Sequence, residues 1–588
     1  MRFFQALNEQ QRRAVEAGDG PVLIVAGPGT GKTKTLTARI AWLLEHKKVQ
    51  PSEIVALTFT NKAAREMRER LGSLLGKGAM LPRVTTFHAL GAELLKTSRD
   101  SEKLLTEQQR TEIIRDVAKL TGLKGTPIRE LSLLISRAKT SVENLPDDSL
   151  NRLLQAYEAA LVEQGLHDFD DLLIKSYKLL QTDGTAHTRY TYVLVDEFQD
   201  TSELQYELLK LLGTGENIFA IGDPNQSIYA FRGAGAAMFD HFREDFQNVQ
   251  QINLTVNYRS VPEIVQLANA IFPGAPQLEA WQEDHGAVRT VQTLNEYSEA
   301  AYILGEIEKG IGGSDMLKAS GHTDVREPRD YAILYRTHRA AKALQRTFAE
   351  SGVPYQIAGE GSPYERPEIQ AIIAIMRYLH SPSEQAKQDL TKLSALRHPS
   401  LAQLEALLAK FPEPSGISVC DLATGVASSL SLESEQNLQQ FIGSLVQFGA
   451  CETGLGAALK HIDEISQSEF FDPSVNAVTL LTIHAAKGLE FSKVFLIAAE
   501  EGILPKLRSD GKDNIDEERR LFYVAVTRAK QSLEIIHTKS RAGEPGKLSR
   551  FVAELSADVL PRTADPDMVS LEKRAEKRRQ KRAQTTLF

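Results

Sequence analysis

Residues 26–33 have the types and spacing that bind a nucleoside triphosphate. They read AGPGTGKT and follow an apolar run at residues 22–25. Glycines let successive backbone N–H groups converge on phosphate oxygens, Lys32 supplies a positive charge, and the Thr33 hydroxyl is a ligand for Mg²⁺. Ala26 stands where the usual pattern has its first glycine. The candidate nucleotide-binding residues of this loop are Ala26, Gly27, Pro28, Gly29, Thr30, Gly31, Lys32 and Thr33.

An acidic pair follows a second apolar run. The sequence YVLVDEFQD spans residues 192–200, and its apolar start would deliver Asp196 and Glu197 to the edge of a sheet. We expect Asp196 to hold Mg²⁺ through water, and Glu197 to orient and deprotonate the attacking water. Together with the phosphate loop, the pair predicts nucleotide hydrolysis.

A polar loop rich in aromatic residues follows a third apolar run. It reads IGDPNQSIYAFRGA at residues 221–234. Gln226 is a neutral amide that can contact a γ-phosphate. Tyr229, Phe231 and Arg232 crowd two rings and a guanidinium into one loop, where they cannot all belong to a core. Stacking on unpaired bases contributes about 1–3 kcal/mol per base and is the natural use of such rings.

A planar ring and a guanidinium are adjacent in NYRS at residues 257–260. Tyr258 can stack on a base, and Arg259 can bind phosphate with two hydrogen bonds, so the pair suits the two ends of a nucleotide. Near the start of the chain, the amide of Gln11 has the donor and the acceptor that an adenine edge requires.

These residues need a sheet to bring them together. Short β-rich runs at residues 22–25, 53–59, 83–87, 192–195 and 218–222 alternate with helical patterns. The candidate residues follow the carboxyl ends of these runs, where an open α/β sheet binds its ligands. The pattern predicts an α/β fold.

Length and composition set the broad class. The chain has 588 residues, which is too long for one core. No segment is apolar over the roughly 18 residues of a membrane span, and the start lacks the apolar core of a signal peptide, so we expect a cytoplasmic protein. Two cysteines exclude a four-cysteine zinc site. The net charge of −8 does not exclude nucleic-acid binding, because one groove can be basic while the rest of the surface is acidic.

The motifs, in their order, resemble those of the UvrD/Rep/PcrA group of superfamily 1 DNA helicases. The resemblance extends from Leu7 to Lys530 and rests on AGPGTGKT, TFTNKAAREM, TTFHAL, VDEFQDTS, GDPNQSIYAFRGA, NYRS, TIHAAKGLEFSKVFL and EERRLFYVAVTRAK. It implies two RecA-like α/β P-loop domains with ATP in the cleft between them, each carrying a mostly helical inserted domain.

Changes in the strand and helix pattern along the chain, together with the resemblance, predict domain boundaries. The first RecA-like domain would comprise residues 1–88 and 190–278, with a helical insertion at 89–189. The second would comprise 279–376 and 472–560, with a shortened insertion at 377–471. Residues 561–588 would form a basic flexible tail.

By the same resemblance, ATP and Mg²⁺ are the cofactors, and single-stranded and tailed duplex DNA are the substrates. Gln11 would contact adenine, Tyr258 would stack on it, and Glu490 would contact the ribose. Glu197 would be the catalytic base, Gln226 the γ-phosphate sensor, and Arg259 and Arg528 the paired arginine fingers, with Arg528 coming from the second domain. The metal ligands would be Thr33 and Asp196.

The expected DNA contacts lie on both domains. In the first domain they are Phe59, Asn61, His88, Tyr229, Phe231 and Arg232, and in the second they are Arg336 and His484. Two residues depart from the family pattern. Phe231 stands where relatives often have Trp, and Lys34 stands where close relatives commonly carry Arg against the adenine; a lysine stem stacks less well.

The implied activity is ATP-driven 3′ to 5′ movement on single-stranded DNA with duplex unwinding, in DNA repair or replication. The short second insertion keeps an alternative open, an ATP-gated remodeller that strips proteins from DNA and separates strands poorly. A small-molecule kinase or transporter ATPase would not explain Arg259, Arg528 and the aromatic loop.

The last residues of the chain resemble a docking peptide. The run LEKRAEKRRQKRA has seven basic and two acidic residues and is followed by QTTLF. A Gln followed by Leu-Phe at a terminus resembles the short peptide that binds sliding clamps of replication. Gln584 would bind at the rim of the clamp pocket, and Leu587 and Phe588 would fill it.

Overall fold

The computed structural model describes most of the chain. The described residues are 2–76, 78–96, 103–123, 125–140, 148–182, 190–213, 217–230, 235–312, 326–358, 367–382, 418–429, 438, 441–442, 445, 454–466, 475–507 and 514–564. Among them, no helix has the length and apolar character needed to cross a membrane. The predictions for Phe231, Arg232, Gln584, Leu587 and Phe588, and for much of the second insertion, lie outside the described residues.

The described strands are short. In chain order they are β1 (Val22–Ala26), β2 (Ile54–Thr58), β3 (Arg83–Thr86), β4 (Lys103–Leu104), β5 (Leu166–His167), β6 (Tyr192–Val195), β7 (Ile218–Gly222), β8 (Gln250–Leu254), β9 (Val256–Asn257), β10 (Glu279–Ala280), β11 (Ala287–Thr293), β12 (Tyr331–Tyr335), β13 (Tyr355–Ala358), β14 (Val478–Thr482), β15 (Phe491–Leu496), β16 (Ala529–Thr538), β17 (Ser540–Arg541), β18 (Glu544–Pro545) and β19 (Arg562–Ala564).

The described α-helices alternate with these strands. They are α1 (Arg2–Gln5), α2 (Glu9–Val15), α3 (Lys32–Glu45), α4 (Asn61–Leu75), α5 (Phe87–Lys96), α6 (Glu107–Leu120), α7 (Ile128–Thr140), α8 (Asp148–Gln164), α9 (Phe169–Thr182), α10 (Glu203–Leu212), α11 (Met238–Asp245), α12 (Pro262–Ile271), α13 (Glu296–Gly312), α14 (Lys342–Ser351), α15 (Pro367–His380), α16 (Val419–Ser429), α17 (Leu455–Ser466), α18 (Ile515–Val526) and α19 (Arg550–Ala553).

The first sheet has strand order β3-β2-β6-β7-β1-β8, and all of its neighbouring strands are parallel. Alternate residues of each central strand enter cores on opposite faces: Leu23 and Val25 pack with α5, α9 and α10, whereas Val22 and Ile24 pack with α3 and α4. Burial on both faces explains why these strands are continuously apolar. The predicted α/β class is confirmed.

The second sheet has strand order β13-β14-β12-β15-β16-β11-β19. Strand β12 runs parallel to β14 on one side and to β15 on the other. The chain folds into two compact units. Unit 1 comprises residues 1–290, 499–534 and 547–563, and unit 2 comprises 291–498, 535–546 and 564–588. Lys32 and Arg528 therefore belong to the same compact unit, and the predicted domain boundaries stay a prediction.

The stretch between β3 and β6 is largely helical, as expected. Helices α5 to α9 occupy this stretch, and the two short strands β4 and β5 pair in parallel within it. At its centre, Lys139 donates to the carboxylates of Asp168 at 2.9 Å and Asp171 at 2.6 Å. The Tyr157 hydroxyl donates to Asp168 at 3.0 Å. This buried ion pair connects α7 to the start of α9. Its charged groups have several hydrogen-bond partners, and a buried ion pair needs such partners to offset the cost of removing its charges from water.

Candidate nucleotide and nucleic-acid sites

The phosphate loop connects β1 to α3 in unit 1. Gly29 and Gly31 have positive φ angles, +70° and +81°, which let the loop turn its N–H groups inward. A Cβ added at Gly31 would lie 2.9 Å from Nε2 of Gln11. The close approach of Gln11 therefore adds a second reason for glycine at this position.

Gln11 is fully buried behind the loop. Its Nε2 donates to the carbonyl of Thr30 at 2.9 Å, and its Oε1 accepts from the backbone N–H of Asn8 at 3.2 Å. Gln11 thus also completes the capping box of α2. The structure places this predicted adenine contact in a bracing position between α2 and the loop.

Lys32 and Thr33 stand at the first turn of α3. Lys32 Nζ donates to the carbonyls of Ala26 and Gly27, at 3.3 Å each, so its charge lies over the loop. The Thr33 hydroxyl donates to Oδ2 of Asp196 at 3.4 Å. The side chain of Lys34 does not join this cluster, because its Nζ donates to the carbonyl of Ala6 at 2.6 Å.

Asp196 and Glu197 follow β6, as predicted. Burial, followed by the neighbouring charge of Glu197, raises the pKa of Asp196 to about 7, against the opposing charge of Lys32. Glu197 has a left-handed backbone with φ +51°, and its N–H donates to Oδ1 of Asp196 at 3.0 Å. Hydroxyl and carboxylate oxygens side by side form the donor set that Mg²⁺ prefers, so Thr33 and Asp196 fit this metal.

A network of amides connects Glu197 to the loop after β7. Gln199 Nε2 donates to Oε2 of Glu197, and its Oε1 accepts from the N–H of Asp223 at 2.9 Å. Gln226 Nε2 donates to Oδ2 of Asp223 at 2.7 Å. Burial raises the pKa of Asp223, and the charge of Lys32 opposes that rise. Sequence reasoning named Glu197 and Gln226 but missed Gln199, although it lies within VDEFQD.

Asn257, also missed, holds the NYRS turn against the phosphate loop. Its Nδ2 donates to the carbonyl of Pro28 at 2.8 Å, and its Oδ1 accepts from the N–H groups of Arg259 at 2.9 Å and Ser260 at 2.8 Å. Tyr258 N–H donates to the carbonyl of Gly29 at 2.9 Å. The predicted Tyr258 and Arg259 therefore stand beside the loop.

The two predicted arginine fingers lie next to each other. Arg259 Nη1 donates to the carbonyl of Thr527 at 3.3 Å. Arg528 is 1% exposed, and its Nε donates to the carbonyl of Val524 at 3.0 Å. Helix α18, which ends just before Arg528, packs against the turn at Pro224–Gln226. Lys32, Gln226, Arg259 and Arg528 are thus linked through neighbouring segments of unit 1.

The side chain of Tyr258 contacts Asn8 through its hydroxyl and Trp281 through its ring. Asn8 Nδ2 donates to its hydroxyl at 2.8 Å, and its ring lies 5.4 Å from the ring of Trp281 at a 44° tilt. Trp281 is 66% exposed. Sequence reasoning also missed Trp281, because a lone Trp in an irregular stretch carries no spacing signal.

Several predicted DNA contacts of unit 1 form ring pairs. Phe59 follows β2, and its ring stacks on that of Tyr229 at 5.3 Å with a 16° angle between planes. The ring of His88 meets the edge of Phe169 at 6.2 Å. Asn61 starts α4 and is exposed. These residues follow strands or turns of the first sheet, and the half-buried rings of Phe59, His88 and Tyr229 suit stacking on bases.

In unit 2, Arg336 and His484 follow neighbouring parallel strands. Tyr335 at the end of β12 pairs with Thr482 at the end of β14, and Ile483 N–H donates to the carbonyl of Tyr335 at 2.9 Å. Arg336 and His484 therefore lie at one edge of the second sheet. Glu490 is exposed and directly precedes β15.

Comparison with known proteins agrees with this arrangement. Residues 7–247 match the UvrD/REP helicase N-terminal domain, and residues 252–430 and 424–540 match the UvrD-like helicase C-terminal domain. The chain is 31% identical to the ATP-dependent DNA helicase Rep of Escherichia coli (strain K12), with 97% of each chain covered.

PcrA proteins show similar agreement. The chain is 30% identical to the ATP-dependent DNA helicase PcrA of Bacillus subtilis (strain 168), covering 95% of this chain and 87% of the relative. It is 32% identical to PcrA of Leuconostoc citreum, covering 94% and 85%. These matches confirm the resemblance and are consistent with two RecA-like folds built on the parallel sheets described above. The chain therefore belongs to the UvrD/Rep/PcrA family of ATP-dependent DNA helicases.

Proposed function

We propose that the protein moves 3′ to 5′ along single-stranded DNA, driven by ATP hydrolysis, and unwinds duplex DNA in repair or replication. The observation that carries the ATP-driven part is the linked cluster of Lys32, Glu197, Gln226, Arg259 and Arg528 in unit 1. The 3′ to 5′ polarity is the expectation taken from the resemblance, and membership of the family supports it. A cytoplasmic location is part of this proposal.

We assign each residue of the nucleotide site a role. The loop residues Ala26 to Thr33 cradle the phosphates, and Lys32 neutralises their charge. Glu197 is the base that takes a proton from the attacking water, while Gln226 contacts the γ-phosphate. Tyr258 stacks on the adenine, and Gln11 contacts the edge of the adenine. The role of Glu490 as the ribose contact stays a prediction.

Arg259 and Arg528 act as the arginine fingers in this proposal. A guanidinium stabilises the charge that develops on the transferred phosphoryl group. The side chain of Arg259 starts beside the phosphate loop, since a Cβ added at Gly29 would lie 2.7 Å from its Cβ. Arg528 is held by Val524 and Thr527, so its guanidinium has a fixed orientation.

Mg²⁺ fits the same cluster. When bound, it would supply positive charge to the phosphate oxygens. Thr33 and Asp196 would hold it, Asp196 through water. The chain itself contributes the carboxylate, the hydroxyl and the buried surroundings that keep Glu197 close to Asp196.

For DNA, we propose one set of contacts on each unit. On unit 1 the ring pair of Phe59 and Tyr229, together with Asn61 and His88, contacts the strand. On unit 2, Arg336 and His484 do so. Phe231 and Arg232 complete the set by sequence alone.

Strand displacement tests the proposal. The protein is mixed with ATP, Mg²⁺ and duplexes that carry a 3′ or a 5′ single-stranded tail. We expect displacement from the 3′-tailed duplex only.

Glu197→Gln keeps ATP binding and lowers hydrolysis steeply, because the amide cannot accept the proton. Glu244→Gln, an exposed change on α11, is the matched control and keeps the activity of the parent. Equal displacement from both tails would contradict the polarity, and near-normal hydrolysis by Glu197→Gln would remove Glu197 as the base.

The second candidate is a remodeller of protein–DNA complexes tethered to a sliding clamp. The observation that favours it is the basic run LEKRAEKRRQKRA followed by QTTLF, which contains Gln584, Leu587 and Phe588. Deleting residues 584–588 and measuring binding to the sliding clamp of the host tests the tether. We expect the parent to bind and the deletion to abolish binding. Displacement of a DNA-bound protein without separation of a tailed duplex would favour this candidate over the helicase.

A further inference from the structure

Gln199 occupies an unusual position between the catalytic base and the loop after β7. Its side chain is fully buried and makes hydrogen bonds at both ends. Nε2 donates to Oε2 of Glu197, while Oε1 accepts from the N–H of Asp223 at 2.9 Å. One amide therefore connects two loops that follow neighbouring strands β6 and β7.

The backbone of Gln199 makes a further contact with the same loop. The Ser227 hydroxyl donates to the carbonyl of Gln199 at 3.2 Å. Ser227 lies two residues before Tyr229, whose ring stacks on Phe59. A continuous path thus runs from the ring pair through Ser227 and Gln199 to Glu197.

The side-chain amide of Gln199 packs tightly against the backbone at Gly222. A Cβ added at Gly222 would lie 2.4 Å from Oε1 of Gln199 and 3.0 Å from the backbone N of Phe198. The amide can keep its position only because residue 222 has no side chain. Displacing it would break the hydrogen bonds to Glu197 and Asp223 together.

Glu197 depends on such a contact. Its left-handed backbone, with φ +51°, is unfavourable for a residue other than glycine and persists only where neighbours fix it. A hydrogen bond from Gln199 fixes one carboxylate oxygen and thereby aims the other.

We propose that Gln199 is a positioning residue that couples single-stranded DNA on the ring pair of Phe59 and Tyr229 to the orientation of Glu197. Strand binding shifts the loop at residues 223–229, Gln199 transmits the shift, and the base becomes aligned for hydrolysis. The inference rests on the proposed ATP-driven movement along single-stranded DNA, which requires the strand to stimulate ATP hydrolysis, and it adds the residue that connects the two sites.

The test compares ATP hydrolysis with and without single-stranded DNA. Gln199→Met keeps the length of the side chain and removes both hydrogen bonds. We expect the ratio of stimulated to basal kcat to fall about tenfold, the loss that follows from one hydrogen bond to a charged group. The KM for ATP and the Kd for DNA stay within about twofold, since Gln199 is placed in contact with neither ligand.

Gln205→Met is the matched control. Gln205 is also buried, lies six residues further along, and accepts a hydrogen bond from Ser202 at 3.1 Å in the first turn of α10. The control loses a capping bond and keeps the stimulation ratio of the parent. Thermal melting of each variant reports whether it is folded.

Gly222→Ala is a second variant that retains the amide but displaces it. It should lower the ratio as Gln199→Met does, and the double variant should lose no more than either single one, because both act on the same contact. Equal loss of basal and stimulated kcat, or an unchanged ratio in either variant, would overturn the coupling. A parent without DNA stimulation would instead overturn the proposed function, and the coupling with it.

Discussion

Replacing Asn257 with Asp changes a single group beside the phosphate loop. Asn257 is 3% exposed. Aspartate keeps the two hydrogen bonds that Oδ1 accepts from Arg259 and Ser260, but it loses the donor to the carbonyl of Pro28. It also adds a negative charge where the loop should bind phosphate. The variant therefore changes both the support of the loop and its charge, and only comparison with a second variant separates the two effects.

The expected effect on ATP binding follows from the position of the charge. For an assumed separation of about 8 Å between the new charge and a phosphate charge, and an effective dielectric constant of about 20, the repulsion costs about 2 kcal/mol. That cost weakens ATP binding about 30-fold. The loss of the donor to Pro28 lowers the free energy of unfolding by a further 1–3 kcal/mol, roughly.

Asn257→Ala provides the comparison. It introduces no charge but removes all three hydrogen bonds, so it should lower the melting temperature more than Asn257→Asp and weaken ATP binding less. Binding is measured by calorimetry with a non-hydrolysable ATP analogue, at low and at high salt. Salt should change the penalty of the Asp variant little, because residue 257 is buried and mobile ions screen a buried charge weakly. Binding to Asn257→Asp that equals or exceeds binding to Asn257→Ala would refute the placement of phosphate beside Asn257.

Two further changes test other parts of the structure. Gly31→Ala should raise the KM for ATP by roughly tenfold or more. Alanine is strained at φ +81°, and its Cβ would lie 2.9 Å from Gln11 Nε2. Steady-state kinetics measures the change in KM. Lys139→Met should lower the free energy of unfolding by about 3–5 kcal/mol, because it leaves Asp168 charged and buried. The control Lys119→Met removes a surface ion pair and should lower the free energy of unfolding by less than about 1 kcal/mol. Urea unfolding of both variants measures the difference. Burial is the largest single influence and raises the pKa of Asp168, but the charge of Lys139 and the hydrogen bonds from Lys139 and Asp171 together lower the net pKa. The ion pair of the parent therefore stabilises the fold at neutral pH and loses this contribution as pH falls through the lowered pKa. The deficit of Lys139→Met should therefore shrink as pH falls from 7 to about 4, because Asp168 without its cation takes up a proton at higher pH; a deficit that is constant with pH would contradict this account.

The sequence was sufficient for the strands that carry the nucleotide site. The apolar runs at residues 22–25, 192–195 and 218–222 appear as β1, β6 and β7, each buried along its whole length. Such runs are detectable because helices cover both faces of a parallel sheet. Residues at the carboxyl ends of these strands, among them Lys32 and Glu197, were predicted for the same reason.

The supporting residues could not be found from the sequence. Gln199 and Asn257 act through hydrogen bonds to partners that are 24 and 229 residues away, respectively, and no local spacing encodes such distances. Gln11 shows the converse case. Its amide was predicted to contact adenine, and the structure adds a bracing contact with Thr30 that only the fold reveals.

Arg528 depends on contacts that are distant in sequence. Its motif, VTRAK, identified the residue, and the resemblance assigned it to the second RecA-like domain, which stays a prediction. In the folded chain, residues 499–534 belong to unit 1, together with the phosphate loop. Hydrogen bonds from Arg259 and Ser260 to Thr527 and Ala529 secure this segment there. Such long-range pairing is a property of the folded chain.

The most direct test of the central claim follows movement along single-stranded DNA. Oligonucleotides of increasing length carry a fluorophore at the 5′ or the 3′ end, and arrival of the protein is timed after ATP is added. We expect the signal from the 5′ label to be delayed in proportion to length in the parent and to be absent in Glu197→Gln. A parent that hydrolyses ATP with no length-dependent delay at either end would contradict ATP-driven movement from 3′ to 5′.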